Sequence, residues 1–497
     1  MAVGVKCNTY KVAVILAVLC AVFLEIRSGN AETKTKIEWD AASSKMLINT
    51  VFVVLSQESS YHEQRSQIFK EHLKEQHPDV EVLFLHKDWS HVTGGWTILP
   101  LLPSIYDGYK DTIQWVVFCE EETRIDLKKL INILSRYDQN EPHFLGKALR
   151  DKEATIIHHF KFIENPSKFA FPDFAAGFAI SRDLLISLQK KIRSEVLDNN
   201  FSIDPKHELA LYIWKDGEGH ELTEQPGFCT ANPGPECATS YTSSLPQCGS
   251  PVDKDEIYIA VKTCEKFHKD RVPIVLKTWG KHVPHIEYIS ETLDNDIPTV
   301  ETGLPNTESG HCGKLEFILK RAATHPELIS KPWIVVADDD TVLGFNRLRR
   351  FLSCYDPNEQ IVIGERYGYG VAKGYGYNYP TGGGGMVFSR AAIEKLMFDG
   401  DRPFNCPSLD TPDDMILGSF CRGLNIPLVH SPLFHQARPD DYSEGYLSWQ
   451  SPISFHKHWN NDPIKVYDTW FKEADLEDID GKEYNDNAQQ NKDKDEL

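Results

Sequence analysis

From Met46 onward, short apolar runs rich in β-branched and aromatic residues alternate with amphipathic stretches. Residues 51–55, 80–85 and 115–118 read as buried strands, and the spacing of apolar positions over 65–76 predicts a helix. Strands alternating with helices predict an α/β fold built on a layered, largely parallel sheet. Residues 226–251 interrupt this with turn-forming Gly, Pro, Ser and Thr and predict a linker. The alternation then restarts, with strands over 257–261, 285–290 and 333–336 and a helix over 271–279.

The restart is a repeat. Trp115-Val-Val-Phe-Cys-Glu-Glu-Glu-Thr123 lies over Trp333-Ile-Val-Val-Ala-Asp-Asp-Asp-Thr341 at an offset of 218, and Phe144-Leu-Gly146 lies over Val362-Ile-Gly364 at the same offset. Phe171-Pro-Asp-Phe-Ala-Ala-Gly-Phe-Ala-Ile-Ser-Arg182 lies over Tyr379-Pro-Thr-Gly-Gly-Gly-Gly-Met-Val-Phe-Ser-Arg390 at 208. Three matches in order predict a duplicated module. With 497 residues, more than one core usually supports, the expected layout is a first domain over 46–225, the linker 226–251, and a second domain over 252–470.

Charge and the two ends place the chain. There are 53 basic and 73 acidic residues, a formal net charge of -20, which argues against nucleic acid or an anionic membrane as the main partner. Much of the excess lies in 471–497, read as a solvated acidic tail. At the other end, Lys6 and Lys11 precede an apolar run over 12–24, then Ser28, Gly29 and Ala31. That run is shorter than the ~20 residues a bilayer span needs. It reads as a signal peptide over 1–28 rather than a stable span, with a type II anchor as the rival. Lys494-Asp-Glu-Leu497 is a retrieval signal that makes the KDEL receptor an expected partner and the lumen of the endoplasmic reticulum the expected location. Of eleven cysteines, Cys7 and Cys20 leave with the signal, so at least one of the rest is unpaired in an oxidising compartment. Cys229, Cys237 and Cys248 crowd the linker and suggest a stapled segment; Asn200-Phe-Ser202 is the one N-glycosylation sequon.

The candidate chemistry is concentrated in the second copy. Asp338-Asp-Asp340 follows a strand, so its carboxylates stand at the C-terminal edge of a parallel sheet, where α/β folds place ligands. Hard oxygen ligands there suit Mg²⁺ or Mn²⁺ bridging the diphosphate of a sugar nucleotide, while a lone acidic triplet is also a common solvated turn. The run Gly382–Gly385 lets backbone approach a ligand closely. In Pro412-Asp-Asp-Met-Ile-Leu-Gly418, Asp413 and Asp414 open a helix, as an N-terminal cap or as a base for an acceptor hydroxyl. His435, His456 and His458 are imidazoles that could complete a metal shell.

Taken together, 256–263, Lys266-Phe-His268, Arg271, Lys277-Thr-Trp279, the acidic triplet, the Gly-rich Ser-Arg segment, the Pro-Asp-Asp-Met motif and Ser431-Pro-Leu-Phe-His435 resemble the Fringe-type β1,3-glycosyltransferases over about 250–460. The duplicated layout, the glycine run and the KDEL ending resemble the branch of that family that adds glucose to O-linked fucose on thrombospondin type 1 repeats. The resemblance implies two tandem GT-A-like, Rossmann-type domains, an inverting mechanism, UDP-glucose as donor, Mn²⁺ as cofactor, and folded O-fucosylated thrombospondin type 1 repeats as partners. It implies Asp340 as direct metal ligand, Asp338 and Asp339 on metal or ribose, Arg271, Thr263, Gly383 and Gly384 at the sugar nucleotide, and Asp414, paired with Asp413, as base. The family carries His-x-His where this chain has His435-Gln-Ala437, so the metal imidazole stays open among His435, His456 and His458. In the first copy, Glu120-Glu-Glu122, Phe174-Ala-Ala-Gly177 and His207-Glu208 replace the key motifs, which predicts a degenerate copy used for acceptor binding or support. The alternatives are a β1,3-GlcNAc or galactosyl transferase of the same type, or a non-catalytic lumenal binding protein.

Overall fold

The computed structural model describes residues 38–195, 200–231, 233–241, 245–398 and 402–480. The expected signal peptide and the terminal Lys494-Asp-Glu-Leu497 lie outside them. Among the described residues, no helix is long and apolar enough to cross a membrane.

Two mixed sheets organise a mixed α/β chain. In the first, the strand order is Thr223–Glu224, Phe144–Gly146, Phe178–Ser181, Trp115–Cys119, Thr50–Val54, Glu81–Phe84. In the second it is Thr299–Glu301, Ile286–Ser290, Ile257–Lys262, Trp333–Asp338, Met386–Ser389, Val362–Gly364, Leu428–His430. In each sheet one strand, Phe178–Ser181 or Met386–Ser389, runs antiparallel to both neighbours. The registers agree as well. Trp115 pairs with Ser181 and Phe144 with Ile180, while Trp333 pairs with Ser389 and Val362 with Phe388. Segments matched at two different sequence offsets are therefore hydrogen-bonded to each other in the same way in both halves.

The second sheet is covered on both faces, which is why its strands read as unbroken apolar runs. Ile257, Ile259, Val261, Trp333 and Val335 pack into one core, and Tyr258, Ala260, Ile334 and Val336 into the other. The expected helix at 65–76 is present and longer, Ser60–Gln76, because Ser59 caps it by accepting from the His62 amide. The expected helix over 271–279 is only Val272–Lys277, followed by a 3-10 turn at Trp279–His282.

The described residues from Ala41 on form one compact unit, in which the two copies contact each other. Gln57 donates to the His430 carbonyl at 2.9 Å and accepts from its amide at 2.7 Å, and Trp96 Nε1 donates to Asn378 at 2.8 Å. Phe201–Ser202 of the first half adds a strand to Arg366–Tyr369 of the second. One expectation is corrected: residues 471–480, read as part of a solvated tail, pack against the second half. Phe471 and Ile479 are buried, Lys472–Leu476 is helical, and Asp475 accepts from the Asn346 amide at 2.8 Å. Apolar residues interspersed among the tail's acids, together with the Arg349–Asp480 and Arg350–Glu477 ion pairs, dock it.

The linker is stapled by Cys229–Cys237 and tied to the second half by Cys248–Cys354, and its Thr239–Tyr241 pairs with Thr123–Ile125. A third disulfide joins Cys312 to Cys406, and Cys119, Cys264 and Cys421 are buried and free.

Candidate active site

The site begins with one register. Lys262 ends its strand directly beside Asp338, which ends the neighbouring one. Each is the polar residue at the C-terminal end of an otherwise apolar buried strand, so both emerge at the sheet edge. Lys262 Nζ lies 3.0 Å from Asp338 Oδ1 and donates to Asp413 Oδ2. Burial works against its charge, but the two carboxylates outweigh that and hold the ammonium well above the usual lysine value.

Asp338, Asp340 and His456 each offer one ligand atom, all within 4.8 Å of one another. His456 arrives on Ser454–His456, which pairs antiparallel with Thr341–Leu343, the strand that follows the triplet. Its Nδ1 donates to the Gln436 carbonyl at 3.0 Å, which aims Nε2 at Asp340 Oδ1, 3.0 Å away. A carbonyl fixing one imidazole nitrogen while the other faces two carboxylates is the support that metal-binding histidines receive. The donor set, two hard oxygens and one imidazole, fits Mn²⁺. Burial alone would raise the Asp340 carboxyl, yet the hydrogen bond from His456 and the charges of His456 and Arg271 keep it well below the usual range.

Asp339 points elsewhere. It is buried, accepts from Thr263 Oγ1 at 2.7 Å and from Arg271 at 2.8 Å, and burial pushes its pKa up to about 6. Arg271 also reaches Asp340 Oδ2 at 2.9 Å and lies 3.8 Å over the Phe267 ring. These groups line a cleft of 640 Å³, with Lys262, Thr263, Arg271, Lys314 and Asp338–Asp340 on its wall. Lys314 donates to the Thr263 carbonyl.

Two of the glycines pack against the elements that hold the site. Gly383 and Gly384 are buried and do not line the cleft. A Cβ on Gly383 would stand 2.3 Å from Cε1 and Nδ1 of His456, so the glycine makes room for that ring. The Gly384 amide donates to Gln436 Oε1 at 2.9 Å.

Asp413 and Asp414 divide their roles. Pro412 holds the N-cap position and Asp413 does not cap the helix Asp413–Leu424; its carboxylate is taken by Lys262. Asp414 accepts from the Met415 amide at 2.7 Å. Burial, then the neighbouring Asp413 charge, push its pKa up to about 7, a value suited to a general base. The helix start is anchored by the Asp413 amide donating to the Gly310 carbonyl at 2.9 Å and by Cys312–Cys406.

Comparison with known proteins agrees with this geometry. The profile of the family described as Fringe-like matches residues 101–203 and again 252–479. The chain belongs to the Fringe-like family. It is 51% identical to a β-1,3-glucosyltransferase of Mus musculus over 84% of this chain and 86% of that one. Identity to the β-1,3-glucosyltransferase of Homo sapiens is 48%, over 93% of this chain and 94% of that one. The β-1,3-N-acetylglucosaminyltransferase lunatic fringe of Mus musculus is 26% identical over 44% of this chain and 64% of its own.

Of the three imidazoles left open in this Fringe-like chain, the fold brings His456 to Asp338 and Asp340. His435 is buried, with Nδ1 3.0 Å from the Ser454 carbonyl and Nε2 2.9 Å from Gln450, and is stacked on Phe455. His458 is not one of the three convergent groups, although its ring senses Asp340; burial lowers its pKa to about 4 and leaves Nε2 buried with no hydrogen-bond partner. Lys262, Lys314 and Gln436 escaped the sequence reading. Lys262 alone left a signal there, as the charge ending an apolar strand.

In the first half the triplet is occupied by protein. Glu121 accepts from the Gln57 amide at 3.0 Å and Ser66 at 3.2 Å and pairs with His62, while Glu122 takes Tyr61 and Arg65. Glu120 is hydrogen-bonded to Tyr241 and pushed by burial up to about 7. The other His/carboxylate group among the described residues is Asp151, His158 and His207. Its two rings stack 3.8 Å apart at 7°, so no one ion lies in both ring planes, and His158 is already held between Asp151 and Asp204.

Proposed function

We propose that this chain is an inverting, metal-dependent β1,3-glucosyltransferase that moves glucose from UDP-glucose to O-linked fucose on folded thrombospondin type 1 repeats in the lumen of the endoplasmic reticulum. The observation that carries the reading is the division of labour at the sheet edge. Asp338, Asp340 and His456 converge on the cleft, and Asp414, which is not one of them, follows Asp413, whose carboxylate Lys262 holds. Half-identity to two β-1,3-glucosyltransferases over most of their length supports glucose over the other sugars. Three disulfides support an oxidising lumen, and the matching strand order and register of the two sheets support a duplicated GT-A-like module.

Asp338, Asp340 and His456 would hold Mn²⁺, which when bound would supply positive charge toward a departing diphosphate. Arg271 and Lys314 bring positive charge to the same cleft, and Asp339 orients Arg271 and Thr263. Lys262 pairs with both Asp338 and Asp413, which leaves Asp414 as the carboxylate that takes the proton from the attacking hydroxyl. Attack and departure occur on opposite faces of the transferred sugar, so the anomeric configuration inverts.

The test is transfer from UDP-glucose, UDP-galactose and UDP-GlcNAc to an O-fucosylated repeat, with Mn²⁺ or with EDTA. Glucose transfer that EDTA abolishes is expected. Transfer of GlcNAc or galactose in its place overturns the donor, and transfer unaffected by EDTA overturns the metal.

A further inference from the structure

The strand Phe201–Ser202 leaves the first half to pair with Arg366–Tyr369, which pairs in turn with Tyr377–Pro380. Tyr369 stands opposite Phe201 on one side and Tyr377 on the other, so the three rings share one face of this small sheet. Ring centroids are 5.3 Å apart for Phe201 and Tyr369 and 5.8 Å for Tyr369 and Tyr377. Phe201 is 39% exposed, Tyr369 37% and Tyr375, on the adjoining turn, 61%. Lys373, which donates to Asn200, and Arg422, which donates to the Tyr375 carbonyl, border the row with positive charge.

Cross-strand aromatic pairs stabilise a sheet whether or not anything binds them. The position of this row goes further. Tyr377–Pro380 lies against the helix Asp413–Leu424 so closely that a Cβ on Gly418 would be 2.3 Å from the Asn378 carbonyl. Asp414 lies in the first turn of that helix, one turn before Gly418. The donor cleft opens on the Asp338 side of Lys262, and an inverting displacement brings the acceptor from the other side. The exposed aromatic row is thus continuous with the acceptor side of the base. Contiguous exposed aromatics bordered by positive charge are the composition of protein-binding surfaces.

Resting on the transferase reading above, we propose that Phe201, Tyr369, Tyr375 and Tyr377 form a docking ledge for the folded polypeptide that carries the acceptor sugar. The first half then takes part in acceptor selection through Phe201, without a catalytic centre of its own.

The experiment compares kcat/KM for a disulfide-bonded O-fucosylated thrombospondin repeat with that for p-nitrophenyl α-L-fucoside, in the full chain and in Phe201→Ser, Tyr369→Ser and Tyr369→Phe. The ratio of repeat to fucoside is expected to fall at least tenfold in both serine variants, through KM for the repeat, and to hold in Tyr369→Phe, which keeps the ring. A ratio that stays constant overturns the ledge, whether both activities persist or both drop together. If the unsubstituted protein glucosylates neither acceptor, the transferase reading itself has failed, a result distinct from either.

Discussion

Asp414 and Gly383 carry the sharpest consequences of the site. Replacing Asp414 by Asn removes the proposed base while keeping its shape, and kcat is expected to fall by about 10²–10⁴ with UDP binding retained. A base must be ionised to act, and burial with the Asp413 charge pushes Asp414 up to about 7. In the unsubstituted protein kcat/KM should therefore rise with pH through about 7 and level above it. Asp413→Asn removes a repelling charge and frees Lys262, both of which favour ionised Asp414, so the acid limb should move to lower pH. A limb that stays in place would count against Asp414 as the titrating base. Gly383→Ala places a methyl group 2.3 Å from two ring atoms of His456. Mn²⁺ affinity, read by electron paramagnetic resonance of the titrated ion, is expected to weaken about 10–100-fold, as for other losses of ligand support; wild-type affinity would show that the ring is not a ligand.

Among the elements, the helix Asp413–Leu424 matters most because it is set against Tyr377–Pro380 with no space between. Gly418→Ala would drive a Cβ to 2.3 Å from the Asn378 carbonyl and 2.5 Å from Tyr379 Cβ, both poorly able to yield. Overpacking of this kind destabilises by about 1–3 kcal/mol. A lowered denaturation midpoint is expected, together with reduced activity because Asp414 rides on the same helix. An unchanged midpoint would mean that helix and strand are looser than the geometry requires. The glycine run is the instructive case here. Its four residues read as a ligand-contacting loop, and the space that one of them, Gly383, leaves is filled by His456, a side chain that arrives from a strand later in the chain.

For the molecule as a whole, the two halves are bound by a shared sheet edge and by part-buried polar contacts. Glu121 holds the Gln57 amide and Ser66, and Gln57 in turn holds His430 of the second half. Glu121→Ala should therefore lower stability by about 1–3 kcal/mol, seen as a lower thermal midpoint, with kcat/KM per folded molecule unchanged. Loss of turnover in folded Glu121→Ala would indicate chemistry in the first half after all.

Much of this was legible along the chain. Buried parallel strands show as apolar runs because both faces are covered, and the triplet's place at a strand end follows from that run. The repeat offsets anticipate the shared strand order, since strands that pair in one copy must pair in the other. Other features needed the folded chain. Which imidazole joins Asp338 and Asp340 depends on the Gln436 carbonyl and on the burial of His435, contacts made across antiparallel strands and invisible to spacing. Asp413 looked like a cap because Asp often is one; only the arrival of Lys262 from 151 residues away decides otherwise. The acidic tail looked solvated because composition averages over Phe471 and Ile479, whereas burial acts on each side chain separately. Local pattern thus determined the elements and the chemical vocabulary of this protein, while the long-range contacts of tertiary structure decided which of those groups meet.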